Sequence, residues 1–296
     1  MPLSVSFVSV LNKELEFIEQ VETDALLEKS FEEQIIIGTN FSYIYTNQEP
    51  NKLQDFIYFR GNLDFAGNVV YGIENILKWT NVIQDNQELV IFNNPYSQYT
   101  RVEGDFRHYH ILPNKTTLVT RLAIAAAYPY GNSRVLPYVK QYFVGGTNSV
   151  RAFGIRRIGP GGFGPNTVES GNTIDEFDRT GDLKIEGNIE YRFDISTIFK
   201  GAVFTDFGNV WTLRETTNDA GEIVRAGGLF EVQDFYKEFG LGIGAGLRLD
   251  FSYFVMRFDL AMPVRDPNLV VGKRWIGLQD WSRDKACLNL AIGYPF

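Results

Sequence analysis

The sequence predicts an all-β protein, a transmembrane antiparallel β-barrel of which roughly ten strands are present. Three observations favour this fold. Apolar and polar residues alternate along many segments, and the connections between these segments alternate between long and short. No apolar run approaches the ~18 residues of a membrane-spanning helix, and the longest candidate covers only residues 122–128.

The clearest alternation lies in KIEGNIEYRF, residues 184–193. The polar face carries Lys184, Glu186, Asn188, Glu190 and Arg192, and the apolar face carries Ile185, Ile189, Tyr191 and Phe193. Such a pattern is typical of a strand with one wet side. Because the wet side is the charged one, we expect it to face a lumen and the aliphatic side to face lipid. Ile189→Arg should then impair the stability or assembly of the barrel far more than Asn188→Arg.

Ten segments share this pattern, each close to the ~9–11 residues of a tilted membrane strand. They centre on residues 3–11, 34–46, 56–65, 98–109, 117–128, 184–194, 201–212, 240–250, 253–262 and 286–296. Outer-membrane barrels combine short periplasmic turns with longer extracellular loops. A soluble all-β fold has no physical reason for long and short connections to alternate along the chain. The alternation therefore favours the membrane barrel. The N-terminus already alternates like a strand and lacks a basic signal-peptide region, which predicts a fragment beginning inside a domain.

Composition excludes several other classes. A formal charge of −8 and a pI near 5.0 argue against a nucleic-acid-binding surface. A single cysteine, Cys287, excludes a disulfide framework.

Two motifs resemble ligand sites only superficially. His108 and His110 fall in a predicted short turn, and no third residue follows at a spacing typical of metal ligands. The glycines of residues 242–246 alternate within a strand, whereas a dinucleotide site needs a glycine-rich turn between a strand and a helix. We therefore expect no catalytic residue, cofactor or metal, while residues 70–80 predict a short amphipathic helix packed on the barrel rim.

Five ordered motifs carry a resemblance to a known family: VRAFGIRRIGP (150–160), GNIEYRF (187–193), FTDFGNVW (204–211), GLRLDFSYFVMRFDLAMPVRDP (246–267) and LNLAIGYPF (288–296). Together they resemble the C-terminal barrel of the BamA/TamA outer-membrane protein assembly superfamily, also called the bacterial surface antigen barrel. The match covers about 143–296, and the upstream strands fit more loosely. The resemblance implies sixteen strands, preceding POTRA domains, and a sixth extracellular loop folded into the lumen. Residues 1–296 would then be the C-terminal part of the barrel, including lumen loop 143–165, without the first six strands, the POTRA domains or a signal peptide.

The resemblance also implies an ionic lock inside the barrel. Arg151 matches the family's loop arginine, and its partners by motif position are Asp206 and Glu190, both on the predicted lumen face. An arginine suits this role because its planar fork meets a carboxylate with two hydrogen bonds. The loop motif further contains Val150, Ala152, Phe153, Gly154, Gly159 and Pro160. Ala152 stands where the family has glycine, so a residue tolerant of positive φ is lost there.

The last strand carries a second signal. Leu288, Leu290, Ile292, Tyr294 and Phe296 alternate with Asn289, Ala291, Gly293 and Pro295, which predicts an apolar outer face ending in an aromatic residue. This pattern resembles the β-signal that barrel-assembly machinery recognises in its clients. Anchoring in the interfacial aromatic girdle explains it equally well.

By resemblance, the chain is not an enzyme and inserts or translocates proteins at the bacterial outer membrane. A client strand would pair at a weak lateral seam between the first and last strands. Expected partners are outer-membrane lipid, client β-barrel or secreted polypeptides, and periplasmic assembly partners reached through the missing POTRA domains, with no nucleic acid. A two-partner secretion transporter, or a passive porin or surface-binding barrel, are the alternatives.

Overall fold

In the computed structural model, ten antiparallel strands form one sheet whose order follows the chain. The structure describes residues 4–9, 25–49, 52–80, 90–92, 94–163, 179–217, 223–251, 253–282 and 285–296. The sheet consists of β1 (Ser4–Val8), β2 (Gln34–Thr46), β3 (Phe56–Ala66), β4 (Tyr99–Leu112), β5 (Thr116–Pro129), β6 (Leu183–Asp194), β7 (Phe199–Trp211), β10 (Gly240–Asp250), β11 (Val255–Arg265) and β12 (Cys287–Ile292). A separate hairpin between β7 and β10 consists of β8 (Thr216–Thr217) and β9 (Ile223–Val224).

All ten predicted strands are present, and the alternation of loop lengths is confirmed. The turn after β4 is a three-residue 3-10 helix, Pro113–Lys115, whereas residues 130–182 separate β5 from β6. We call the two ends of the sheet the short-turn end and the long-loop end. The predicted position of His108 and His110 in a turn was wrong, because β4 continues to Leu112 and pairs them with Thr120 and Leu118.

The predicted faces of the strands are also confirmed. On β6, Ile189 is 43% exposed on the outer face, whereas Glu186, Asn188 and Glu190 are buried on the inner face. Outward apolar side chains recur on the other strands, as at Phe106, Val203 and Leu260. Within the described residues the sheet begins with β1 and ends with β12, and these two strands do not pair.

The hydrophobic core lies between the inner wall and the residues that connect β5 to β6, near the long-loop end. Its wall side includes Ala125, Phe204 and Val210, and its loop side includes Val144 and Ile158. Ion pairs occupy the inner wall closer to β3 and β4, where Arg101 contacts Asp64 and Glu103, and Arg121 contacts Asp105 and Glu186. The inner wall therefore packs against the loop through an apolar core and carries further ion pairs towards β3 and β4.

Two α-helices are described, α1 (Ala25–Ser30) and α2 (Asn68–Trp79). Helix α2 confirms the prediction for residues 70–80. Its buried Glu74 accepts a 2.6 Å hydrogen bond from the Tyr96 hydroxyl and pairs with Lys78 at 2.8 Å, which ties the helix to the segment before β4. Among the described residues, no helix is long and apolar enough to cross a bilayer.

Candidate functional site

The candidate site is built around the lumen loop, which we define as residues 143–163. Residues 164 and 165 of the predicted loop lie outside the described residues. Gly145 and Gly146 have φ angles of 110° and 94°, values open mainly to glycine, and a Cβ on Gly145 would lie 2.1 Å from the Gly154 carbonyl oxygen. This close backbone approach folds the loop into a compact unit, which a bridge between Val144 and Ile158 closes.

Arg151 lies at the centre of the loop and is completely buried. Its Nε and Nη2 donate to the two oxygens of Asp206 at 2.8 and 2.9 Å, and its backbone N–H donates to Oδ2 at 3.1 Å. Its Nη1 donates to Glu190 Oε2 at 2.5 Å and to Asp259 Oδ2 at 3.3 Å. The guanidinium therefore binds Asp206 through two parallel hydrogen bonds and contacts carboxylates of β6, β7 and β11.

The underside of the same guanidinium lies on an aromatic ring. Its central carbon is 3.3 Å from the ring centroid of Phe204, which is two residues before Asp206 on β7. Burial opposes the charge of Arg151, but the hydrogen bonds to Asp206 and the charges of Asp206, Glu190 and Asp259 together outweigh it and raise the pKa of the guanidinium above its usual value. Arg151 is thus held as a permanent cation, and removing one partner of such a pair typically costs about 3–5 kcal/mol.

Three further arginines compensate the carboxylates on the wall. Arg192 donates to Glu190 at 2.8 Å, and Arg248 contacts both Glu190 at 3.1 Å and Asp259 at 2.7 Å. Arg257 donates to the loop itself, at 3.0 Å to the Thr147 carbonyl and 2.7 Å to the Asn148 side chain. The cluster therefore spans four neighbouring strands, from β6 to β11, and fixes the loop at Arg151 and at the residues just before it.

Neutral side chains complete the attachment of the loop. Asn188 donates to Asp206 Oδ1 at 2.8 Å and to the Ser149 carbonyl at 2.9 Å, while the Ser149 hydroxyl donates to Glu186 at 2.6 Å. Asn289 on β12 donates to the Arg151 carbonyl at 2.9 Å. Asn188 is buried beneath the loop rather than open to the lumen, so an arginine at position 188 would also disturb the loop and is a poor comparison for one at position 189.

Glycines on β10 make room for this arrangement. A Cβ on Gly244 would lie 2.3 Å from Phe204 Cζ, and one on Gly246 would lie 1.9 Å from Asp259 Oδ1. A Cβ on Gly242 would lie 2.3 Å from the Ala152 methyl group. Ala152 does not have a positive φ. The alanine therefore causes no backbone strain, and its methyl group fits where Gly242 leaves space.

The other residues of the loop motif contribute packing and turns. Val150 and Phe153 are buried in the core described above. A Cβ on Gly159, whose φ is 90°, would lie 2.5 Å from Asn209 Oδ1, and Pro160 follows it through a cis peptide bond. Gly154 provides the carbonyl that approaches Gly145. Arg156 places its guanidinium over the rings of Tyr138 and Phe143, at 4.8 and 4.7 Å.

The C-terminal residues correct one prediction. Leu288, Leu290 and Ile292 are exposed on the outer face of β12, as expected. Tyr294 and Phe296 do not continue that face, because Gly293 adopts a φ of 88° and turns the chain inward. The Tyr294 ring lies 4.5 Å from the Arg192 guanidinium, and the buried Phe296 ring lies within 6 Å of the guanidinium groups of Arg121, Arg151 and Arg192.

Residues 58–275 match the family model of the Omp85 superfamily domain. This chain belongs to the Omp85 superfamily. The match begins within β3, extends past β11, and includes the lumen loop with Arg151 and all three of its carboxylate partners. None of the curated protein sequences matches this Omp85 chain.

A solved structure with the same fold is that of BamA from Haemophilus ducreyi lacking POTRA domains 1–3. The two structures superpose with a TM-score of 0.50 at 15% sequence identity, over 83% of the Omp85 chain and 42% of the BamA chain. The Omp85 chain therefore spans less than half the length of this BamA chain, and the likeness establishes the barrel fold.

Sequence reasoning missed several members of the cluster in this Omp85 chain. Asp259, Arg248 and Arg257 lie on the charged face that the alternation identified, but no motif marked them as members of the cluster around Arg151. Phe204 was missed because an aromatic residue on a lumen face breaks the polar pattern. The alternating glycines of β10 could have indicated Phe204, since Gly244 leaves a space on the inner wall that this large side chain from β7 fills.

Proposed function

We propose that this chain forms the C-terminal part of a bacterial outer-membrane barrel that inserts or translocates proteins. Membership of the Omp85 superfamily and the likeness to a BamA barrel support this function. The observation that carries the proposal is the fully buried Arg151, which binds a loop inside the lumen through three carboxylates.

The proposed role of the loop is to brace the wall next to the lateral seam. Arg151 connects β6, β7 and β11 through Glu190, Asp206 and Asp259, and its carbonyl reaches Asn289 on β12. Strand β12 would otherwise be held in the sheet mainly by six paired residues along β11. A seated loop keeps this last strand in place while its free edge offers unpaired amide and carbonyl groups to an incoming client strand.

The proposed partners follow from the surfaces of the sheet. Outer-membrane lipid would cover the outward aliphatic and aromatic side chains, and client β-barrel or secreted polypeptides would meet the edge of β12. Periplasmic assembly factors would be reached through POTRA domains of the complete protein. In this orientation the short-turn end faces the periplasm and the long-loop end faces the outside. The reaction requires no cofactor, because strand pairing supplies the free energy.

Charge reversal at Asp206 tests the proposal. In the source bacterium, Asp206→Lys should unseat the loop and reduce the amounts of other β-barrel proteins in the outer membrane. Asp206→Asn should be milder because the amide retains one acceptor oxygen. Asp234→Lys is the matched control, since Asp234 lies in an exposed turn and pairs only locally with Lys237.

The same strains distinguish the alternatives. Loss of one secreted polypeptide from the medium, with other barrel proteins unchanged, would favour a two-partner secretion transporter. A change only in the uptake of small solutes would favour a passive porin. Wild-type behaviour of Asp206→Lys in all three measurements would contradict a functional role for the lumen loop.

A further inference from the structure

A second group of chemically versatile side chains lies at the short-turn end, on the outside of the sheet. His108 and His110 are two residues apart on β4 and share the outward face with Phe106. Asp55 immediately precedes β3 and lies two residues before Ile57, which pairs with His108. The antiparallel register thus places Asp55 beside two histidines that lie more than fifty residues further along the chain.

The three side chains are close enough to share one ion. One ligand atom from each of Asp55, His108 and His110 lies within 4.8 Å of the others. The two imidazole rings are 6.0 Å apart between centroids and tilted by only 27°. Ligand atoms around a tetrahedral zinc ion with bonds of about 2.0–2.1 Å are about 3.3 Å apart, so small rotations of these half-exposed side chains complete the geometry.

Asp55 is held in a suitable orientation by the backbone. Its Oδ1 accepts a 2.8 Å hydrogen bond from the Ile111 amide, and its Oδ2 contacts His110 Nδ1. The Ile111 amide thus fixes one carboxylate oxygen, as outer hydrogen bonds do for ligating carboxylates in metal sites, and leaves the other oxygen beside the imidazole that would share the metal.

We propose that Asp55, His108 and His110 bind a divalent transition-metal ion of the zinc type. Two imidazoles and one carboxylate are ligands that Zn²⁺ prefers, whereas Mg²⁺ and Ca²⁺ prefer oxygen ligands alone. With three protein ligands, the fourth position of a tetrahedral ion is left to water or to a group from another molecule. The ion would connect the β2–β3 connection to the end of β4 and stiffen the short-turn end of the barrel.

The test is helped by the fact that His108 and His110 are the only histidines in the chain. The full chain, folded in detergent and purified through a tag without histidine, is titrated with ZnCl₂ by calorimetry and by NMR of ¹⁵N-labelled histidine. We expect one Zn²⁺ per chain and shifts of both imidazole signals. His108→Ala and Asp55→Asn should each weaken binding by about tenfold or more.

Glu49→Gln is the matched control, because Glu49 is an exposed carboxylate in the same connection and pairs with Lys52. It should leave the affinity unchanged, and circular dichroism establishes that each variant is folded. Absence of Zn²⁺ binding, or equal affinity of the wild type and His108→Ala, would overturn the proposal. Equally tight binding by the urea-unfolded chain would also overturn it, because that result would assign the affinity to the local His-Tyr-His sequence alone.

Discussion

At the scale of single residues, the lumen loop depends on small residues as much as on charged ones. The charges of Arg151 and Asp206 supply attraction, but they meet only because Gly242 and Gly244 leave space for Ala152 and Phe204. A methyl group or a ring occupies each gap, so the wall and the loop are complementary in shape. Substitutions that fill these gaps should therefore damage the site without touching its charges.

Gly244→Val tests this complementarity. The new side chain would collide with Phe204 Cζ, at 2.3 Å from Cβ, and with the Leu260 carbonyl, at 2.5 Å. Overpacking of this kind typically costs about 1–3 kcal/mol, and here it should also expose the loop to added protease. The measurement is limited proteolysis and urea unfolding in detergent. Ala245→Val on the outward face is the control, and equal sensitivity of the two variants would contradict the packing described here.

Ala152→Gly tests the residue that departs from the family pattern. Because Ala152 does not have a positive φ, glycine relieves no strain and adds freedom to the unfolded chain. We expect the free energy of unfolding to fall by about 0.4–1 kcal/mol, with the loop still seated. A gain in stability would indicate that the alanine is a strained substitution.

At the scale of elements, each strand separates a lipid face from a lumen face. Ile189→Arg on β6 should cost about 2–4 kcal/mol near the middle of the membrane. Asn62→Arg on β3 is the better comparison than position 188, because Asn62 lies on the lumen face beside Glu103 and outside the loop cluster. Urea unfolding in lipid vesicles measures both, and equal losses would refute the assignment of faces.

The alternation predicted the strands and their faces because a period of two is a local property of the sequence. The contacts of Arg151 with Asp206 and Glu190 came from motif positions instead. Asp259 could not be assigned in the same way, since wall curvature decides which lumen charges converge. The sequence did not predict the inward turn that buries Phe296, because apolar and polar residues alternate up to the last residue. The strand is interrupted only by the positive φ of Gly293. Asp55 was missed because its proximity to His108 depends on the pairing of β3 with β4.

At the scale of the whole molecule, the described sheet is open and its outer face is apolar. Strands β1 and β12 each leave one edge unpaired within the described residues, and exposed aromatic and aliphatic side chains cover the outside. In water such edges and surfaces promote aggregation. We expect residues 1–296, expressed alone, to require detergent or lipid. A monodisperse monomer in plain buffer, detected by light scattering, would favour a soluble all-β protein instead.

The central claim is that the loop is bound inside the barrel through Arg151. A double-mutant cycle of Arg151→Ala and Asp206→Ala, read as the free energy of unfolding in lipid vesicles, tests it most directly. Because the two side chains share two hydrogen bonds in a buried site, we predict a coupling energy of about 0.5–3 kcal/mol. Additive effects of the two substitutions would contradict the contact and, with it, the seated loop.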